Sequence, residues 1–476
     1  MADIVDQIRK DTLRTTNNVL GINIMTQTDN ENSLQRQETT FMYAQLLKDI
    51  LIRFPSTEVS KQEMVEFCRE HYADNALELD NIKEFEDNYD PQKAVWWYTR
   101  DTFLYRLLNK ALRVQDIDVL YKIRLFIRDL NEQVEERHQT QFVHTSPKLT
   151  TVTVYRGCGM SQEEFDSLKS REGGGFMSIS TFLSTSRDPN IALEYARLAT
   201  GNPKAITHLK KVAVLLEIEI DVQNCQTPFT DVQTETQFEH ENEILFTMGS
   251  VYRVISVKAL NNGLWKINIK LTGEEDQQLK TLTEYMRKTI LWSSLSASIA
   301  SLMREMAHYN KAEQFLLLAL QDPVVSDDFR NTAAVYNNLG DIYRHLRMIE
   351  KGVSYYQKSL DVALKHLPED DPILAVGYAN LGTVYHEQGD DDQALSYYHA
   401  ALKSNMKASS PNLQQAAVVY INIAMTYGKQ NRRLDQLNML EKALEFQQKV
   451  LPSNHYEIGI TFNTIGITYY NSSEHN

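Results

Sequence analysis

The spacing of apolar residues divides the chain into three textures. From Phe41, the stretch FMYAQLLKDILIRF places Tyr43, Leu46, Leu47, Ile50 and Leu51 at intervals of one, three and four residues, the pattern of one buried helix face. KQEMVEFCREHY follows a break at Pro55, Ser56 and Thr57 and predicts a second helix, with Ser60 as N-cap and Glu63 completing a capping box. PQKAVWWYTRDTFLYRLLNKALR and DIDVLYKIRLFIRDLNEQV continue the helical spacing, so residues 41–137 are expected to form an all-helical lobe with Trp96 and Trp97 in its core. Residues 1–40 are rich in Asn, Thr, Gln and Asp around one apolar patch at Val19 to Met25, which predicts low order or an incomplete segment.

Between 150 and 272 the period shortens. TVTVYRG, FLSTS, VAVLLEIEI, NEILFTMG, YRVISVKAL and WKINIKL are short, rich in Val and Ile, and separated by Gly, Pro, Asn and Asp, which predicts strands of an antiparallel or mixed sheet. One helix, DPNIALEYARLA, interrupts them, opened by Asp188 as cap and Pro189 in the first turn. Helices and strands do not alternate, and no GxGxxG or Walker glycine pattern is present, so the expected class is α+β and not a doubly wound dinucleotide fold. Residues 41–272 are read as one domain on this basis.

From 280 to 476 the chain repeats itself. Leu339-Gly340-Asp341-Ile342-Tyr343 returns around Gly382, Ala424 and Gly466, each copy 42 residues after the last. The partner segments repeat too, Tyr355-Tyr356 with Leu360 and Tyr397-Tyr398 with Leu402, and an imperfect earlier copy begins near Ile299-Ala300. Small residues at the Gly340 position let two helices approach closely, and such pairs stack into an all-α solenoid with a concave face. The spacing resembles tetratricopeptide repeats in their longer form, as in kinesin-light-chain-like arrays, which implies a protein-binding surface. The last copy reaches Asn476 after its first helix, so the apolar face of that helix is expected to be covered by further repeats, a partner or a second copy.

Composition narrows the function. With 476 residues and 42% apolar content the chain can bury two or three cores, and a formal charge of -14 disfavours nucleic acid and anionic lipid as partners. The polar start MADIVDQIRKDTLRTTNN and the absence of a long apolar run point to the cytoplasm, with no membrane partner. Three scattered cysteines, Cys68, Cys158 and Cys225, make neither a disulfide framework nor a four-ligand zinc site, and are expected reduced.

Three segments carry the candidate chemistry. Arg156-Gly157 ends TVTVYRG; the guanidinium can hold a pyrophosphate bidentately and the glycine admits close backbone approach. The glycine loop Gly173-Gly174-Gly175 leads to the hydroxyls of Ser184-Thr185-Ser186. Glu241 and Glu243, two apart before the apolar run Ile244-Leu245-Phe246, share one face of a strand, so two carboxylates can serve one site. Cleaving the nicotinamide–ribose bond of NAD builds positive charge on the ribose, which one carboxylate stabilises, while the second orients a cationic acceptor.

In that order, Arg, Ser-Thr-Ser and Glu-x-Glu resemble the signature of the arginine-specific mono-ADP-ribosyltransferases, and Tyr98-Thr99 through Tyr105, Leu108-Asn109 and Arg113 resemble the helical lobe that precedes the catalytic strands in that family. The resemblance covers about residues 75–270 and implies a helical lobe plus a split β-sheet core. It implies that Arg156 holds NAD, that Gly157, Ser184, Thr185 and Ser186 line the NAD site, and that Ser184 positions the ribose and the catalytic Glu243. It further implies that Glu241 recognises the acceptor arginine, that residues 227–238 form the acceptor-reading turn, and that NAD is consumed without a metal. The implied acceptor is a protein recruited by the repeats, with the chain itself as a further acceptor. Two other readings stay open: a NAD glycohydrolase, if water attacks, and a non-catalytic scaffold.

Overall fold

A computed structural model describes residues 21–24, 31–54, 57–100, 102–143, 151–199, 211–223, 225, 227–232, 243–260, 263–272, 277–451 and 456–473. The chain divides into two compact units, Met1–Leu291 and Trp292–Asn476.

The first unit opens with strand β1 (Ile22–Ile24) and helix α1 (Glu31–Ile52). Residues 22–24 form a strand and 31–40 lie in a helix; 1–20 and 25–30 lie outside the described residues. The apolar patch explains the strand: Ile22 and Ile24 pair with Ile179 and Met177 and pack on the sheet core. In α1, Tyr43, Leu46, Leu47, Ile50 and Leu51 are buried as their spacing predicts. The helical lobe continues through α2 (Glu58–His71), α3 (Ala76–Asn88), α4 (Ala94–Thr99), α5 (Phe103–Val114), α6 (Ile117–Lys122) and α7 (Arg124–His138), whose end widens into a π-turn at Gln139–Val143. The cap of α2 is Thr57, with Ser60 as the reciprocal partner, and not Ser60 with Glu63. The helix starts one turn earlier because Thr57 can accept from the Ser60 N–H while Ser60 accepts from the Thr57 N–H.

Two buried polar ties fix the short helices of the lobe. Glu78 of α3 pairs with Arg106 and accepts from the Phe103 N–H at 2.9 Å, which holds the start of α5. Gln133 of α7 accepts from the Val95 N–H at 2.6 Å, which holds α4. Trp97 is buried as expected, and the Arg100 guanidinium lies over both Trp96 and Trp97 while gripping Glu84 with two hydrogen bonds.

The remaining strands are β2 (Thr151–Ser161), β3 (Phe176–Ile179), β4 (Leu183–Ser186), β5 (Lys211–Asp221), β6 (Phe229–Asp231), β7 (Glu243–Phe246), β8 (Ser250–Ala259) and β9 (Leu264–Thr272). They form one mixed sheet in the order β1-β3-β8-β9-β5-β2-β4-β7-β6, with β5 and β9 parallel. All nine join in a single hydrogen-bonded order, yet the β2–β4 junction is one residue pair, Tyr155 opposite Ser186. The sheet is thus continuous where a split core was expected, and narrowest there.

Among the described residues two helices interrupt the strands where one is expected. Helix α9 (Pro189–Ala199) begins as predicted, with Asp188 accepting from the Asn190 N–H. Helix α8 (Gln162–Lys169) is the addition, and its Ser161–Glu164 capping box was present in the sequence. Helix α10 (Gln277–Ile290) closes the first unit, tied to α1 by an Arg287–Asp49 ion pair of 2.7 Å. The second compact unit begins at Trp292, so α10 belongs to the first.

The second unit is built of helix pairs. An imperfect pair, α11 (Leu295–Glu305) and α12 (Tyr309–Ala319), is followed by the short α13 (Pro323–Ser326). Then come α14 (Phe329–His345) with α15 (Ile349–His366), α16 (Pro372–Gln388) with α17 (Asp391–Lys407), α18 (Leu413–Lys429) with α19 (Arg433–Val450), and α20 (Tyr456–Ser473). A Cβ added at Gly340 would come within 2.6 Å of the Tyr356 ring, and one at Gly382 equally close to Tyr398. Each glycine is the seat of the partner helix's tyrosine, whose hydroxyl bonds to the next residue along, Asp341 or Thr383. Beside each seat two rings stack, Tyr343 on Tyr355 and Tyr385 on Tyr397. Among the described residues, no helix is long and apolar enough to cross a membrane.

Candidate active site

The narrow junction of the sheet gathers the predicted residues. Arg156 follows Tyr155 on β2, Ser184, Thr185 and Ser186 form β4, and Glu243 opens β7. In the antiparallel register of β4 and β7, Ser186 stands opposite Glu243 and Ser184 opposite Leu245. Directly opposed residues share a face, as do alternate residues along a strand, so Ser184, Ser186 and Glu243 project together. The Ser184 hydroxyl faces the Glu243 carboxyl closely enough to favour its ionised form. Thr185 projects to the other face, buried, and donates to the Ile244 carbonyl at 2.9 Å, which locks β4 to β7.

Burial pushes the Glu243 carboxyl above the ordinary value, and the nearby Asp231 charge adds to this; the Ser184 hydroxyl and the Arg156 guanidinium pull it back. A partly buried carboxylate beside one cation and one hydroxyl is a group whose negative charge is available to a positive charge forming in front of it. Arg156 is itself half-buried, within electrostatic reach of Glu243.

Gly157 turns its Cα toward a helix. A Cβ there would lie 1.8 Å from the Ala192 carbonyl oxygen and 2.5 Å from the Ala196 nitrogen, both backbone atoms of α9. The close approach that Gly157 permits is that of a helix to the sheet. Glu241 falls outside the described residues, as do residues 233–238 of the expected acceptor-reading turn.

The helical lobe brings further side chains to this junction. Tyr98 is 2% exposed, and its hydroxyl bonds to Asn109 and to the Phe182 carbonyl just before β4. Its ring lies 5.5 Å from Phe182 and 5.3 Å from Tyr105, and both Glu243 and Arg156 act on its hydroxyl electrostatically. Tyr105, Asn109 and Arg113 recur every four residues along α5 and so share one helix face, the signal from which they could have been found. Among the described residues, no cluster of His, Cys, Asp and Glu could hold a metal ion.

Comparison with known proteins adds to both units. Tetratricopeptide-repeat family models match residues 331–407 and 417–457. These segments are tetratricopeptide repeats. No curated protein sequence matches the chain. Among solved structures, the chain is similar to BtubC from P. vanneervenii, at 21% identity over 42% of this chain and 80% of that one, with a TM-score of 0.35. It is also similar to the ADP-ribosyltransferase Vis, at 18% identity over 48% of this chain and 90% of that one, with a TM-score of 0.28. The ADP-ribosyltransferase HopU1 of Pseudomonas syringae pv. Tomato DC3000 matches at 18% identity over 46% of this chain and all of its own length, with a TM-score of 0.29.

Proposed function

We propose that the first unit is a NAD-consuming mono-ADP-ribosyltransferase that modifies arginine on a protein brought to it by the tetratricopeptide repeats. The observation that carries this reading is the strand register that sets Ser184, Ser186 and Glu243 on one face at the one-pair junction of the sheet, with Arg156 in electrostatic reach of Glu243. In this reading Arg156 holds the NAD pyrophosphate, and Ser184, with Ser186 on the same face of the strand, positions the nicotinamide ribose, while Thr185, expected in the NAD site, points to the other face and only locks β4 to β7. Glu243 stabilises the positive charge that builds on the ribose as its bond to nicotinamide breaks. Tyr98, Tyr105 and Asn109 wall the pocket from the helical side and exclude water. Glu241, next to Glu243 but one in sequence, orients the acceptor guanidinium and takes its proton as the new carbon–nitrogen bond forms. Gly157 serves the NAD site indirectly, by seating α9 against the strand that carries Arg156.

The test is transfer of labelled ADP-ribose from NAD to an arginine-rich polypeptide and to the protein itself, with wild type and Glu241→Ala compared. Wild type is expected to label the arginine acceptor, and Glu241→Ala to lose labelling while still releasing nicotinamide. Release of nicotinamide by wild type with no labelled acceptor would replace transfer by hydrolysis. Labelling that Glu241→Ala leaves intact would overturn the arginine assignment.

A further inference from the structure

Strand β6 is the edge of the sheet beyond β7, and an edge strand presents outward N–H and C=O groups at alternate residues that need partners. Here the partners are side chains of the helical lobe. Nδ1 of the buried His138 lies 3.0 Å from the Phe229 carbonyl oxygen and 3.4 Å from the Phe229 nitrogen. Two residues along, the Gln141 side chain accepts from the Asp231 N–H at 2.9 Å and donates to the Asp231 carbonyl at 3.2 Å. It also accepts from the Thr230 hydroxyl at 3.1 Å. The Gln141 amide fills both outward bonding positions at Asp231 as a further strand would, and the one Nδ1 of His138, donor or acceptor by tautomer, fills one of the two at Phe229.

What β6 holds is Glu243. The Val232 N–H donates to the Glu243 carbonyl at 3.1 Å, and Asp231 stands in register with Ile244. A third tie reaches β6 from the Ser-Thr-Ser strand, because Arg187, the residue after Ser186, pairs with Asp231 at 3.1 Å. Strand β7 is only four residues long and Glu243 is its first, so its backbone depends on β4 on one side and β6 on the other. We infer that Gln141 and His138 are positioning residues for Glu243, acting as a surrogate strand that fixes β6 and, through β6, the carboxylate against Ser184. The π-turn at Gln139–Val143 carries Gln141 just past the helix end that carries His138, and such widened turns recur at functional sites.

This inference rests on the reading of Glu243 as the catalytic carboxylate. Gln141 is exposed, so Gln141→Met keeps the side chain's length and the fold while deleting all three hydrogen bonds. A misplacement of about 1 Å in a reacting group costs on the order of 100-fold in rate, and loss of part of that restraint is expected to lower kcat for nicotinamide release by about 10-fold. The KM for NAD and the melting temperature are expected to stay at wild-type values. Because both act on one carboxylate, Gln141→Met and Ser184→Ala are expected to combine less than additively. An independent arm measures amide hydrogen exchange over residues 229–232, expected to accelerate in Gln141→Met while β5 is unchanged. Unchanged turnover, or a fall in kcat matched by a rise in KM and loss of thermal stability, would overturn the positioning role. Unchanged exchange over 229–232 would overturn the surrogate strand itself. A wild-type protein that releases no nicotinamide sinks the catalytic reading, and the exchange result alone then decides whether the helical lobe holds β6.

Discussion

Replacing Gly157 by alanine asks whether the glycine beside Arg156 faces a ligand or a helix. The added Cβ would sit 1.8 Å from the Ala192 oxygen and 2.9 Å from the Ala192 carbonyl carbon. Carbon and oxygen in contact need about 3.3 Å, so α9 or β2 must move by about 1.5 Å. Neither moves easily. β2 pairs with β5 along its whole length, and α9 lies against it through Ala192 and Ala196, 2% and 0% exposed. Overpacking costs typically 1–3 kcal/mol, and with backbone as the obstacle the upper end applies, about 3 kcal/mol. For a unit that runs from Met1 to Leu291 that corresponds to a drop of roughly 5 °C in melting temperature. Of the four tryptophans, Trp96, Trp97 and Trp265 lie in the first unit, so intrinsic fluorescence follows its unfolding. Thermal scans and NAD titrations of the full chain are the assay. A variant that melts like wild type but has lost NAD affinity would refute the packing argument and restore the glycine to the cofactor face.

In the repeats, Gly340→Ala forces a Cβ into the Tyr356 ring and is expected to destabilise by about 1–3 kcal/mol, whereas Gly466→Ala meets no atom within 4 Å and should gain up to about 1 kcal/mol of helix propensity; denaturation followed by helical circular dichroism would contradict this if both changes had the same sign. The proposed reaction requires Glu243 ionised, so the acid limb of the pH–rate profile is expected above the ordinary carboxyl value of 4.5, moving down in Asp231→Asn and up in Ser184→Ala; an acid limb that Asp231→Asn raises would contradict the electrostatics. Burial holds the His138 imidazole below its ordinary 6.5, so the neutral ring's contribution is fully present above pH 6.5 and is lost as pH falls from there through the folded value. Urea titrations at pH 7.5 and 5.5 should show a smaller stability loss in His138→Gln than in wild type, and equal losses would remove His138 from the pH response.

The parts of the molecule legible in the sequence are those where one physical signal dominates. The 42-residue recurrence of Gly340 and its counterparts reflects a steric need, the seat for Tyr356 or Tyr398, and sequence displays such needs directly. Long alternating strands such as β5 were equally plain. The short strands were not: Phe176–Ile179 is buried on every residue and so has no alternation to read, and Phe229–Asp231 is three residues long and completed by two side chains from a distant helix. The first turns of α1 are not legible because residues 31–40 hold a single apolar residue, Leu34, which sets no helical spacing. Within the site, order along the chain gave Arg156, Ser184 and Glu243, but local sequence says nothing of which way a strand presents its glycine. Gly157 therefore looked like a cofactor residue. The Tyr105, Asn109 and Arg113 face of α5 went unassigned because its spacing of four also fits an ordinary solvated stripe.

The central claim is that the Glu243 carboxylate drives cleavage of NAD. Release of free nicotinamide from NAD by wild type and by Glu243→Gln, which keeps the side chain's shape and removes its charge, tests it most directly. Wild type is expected to release nicotinamide, and Glu243→Gln to fall by a factor of about 100 or more with its melting temperature unchanged. Equal release by the two proteins, or none by wild type with its repeat partner present, would contradict the account.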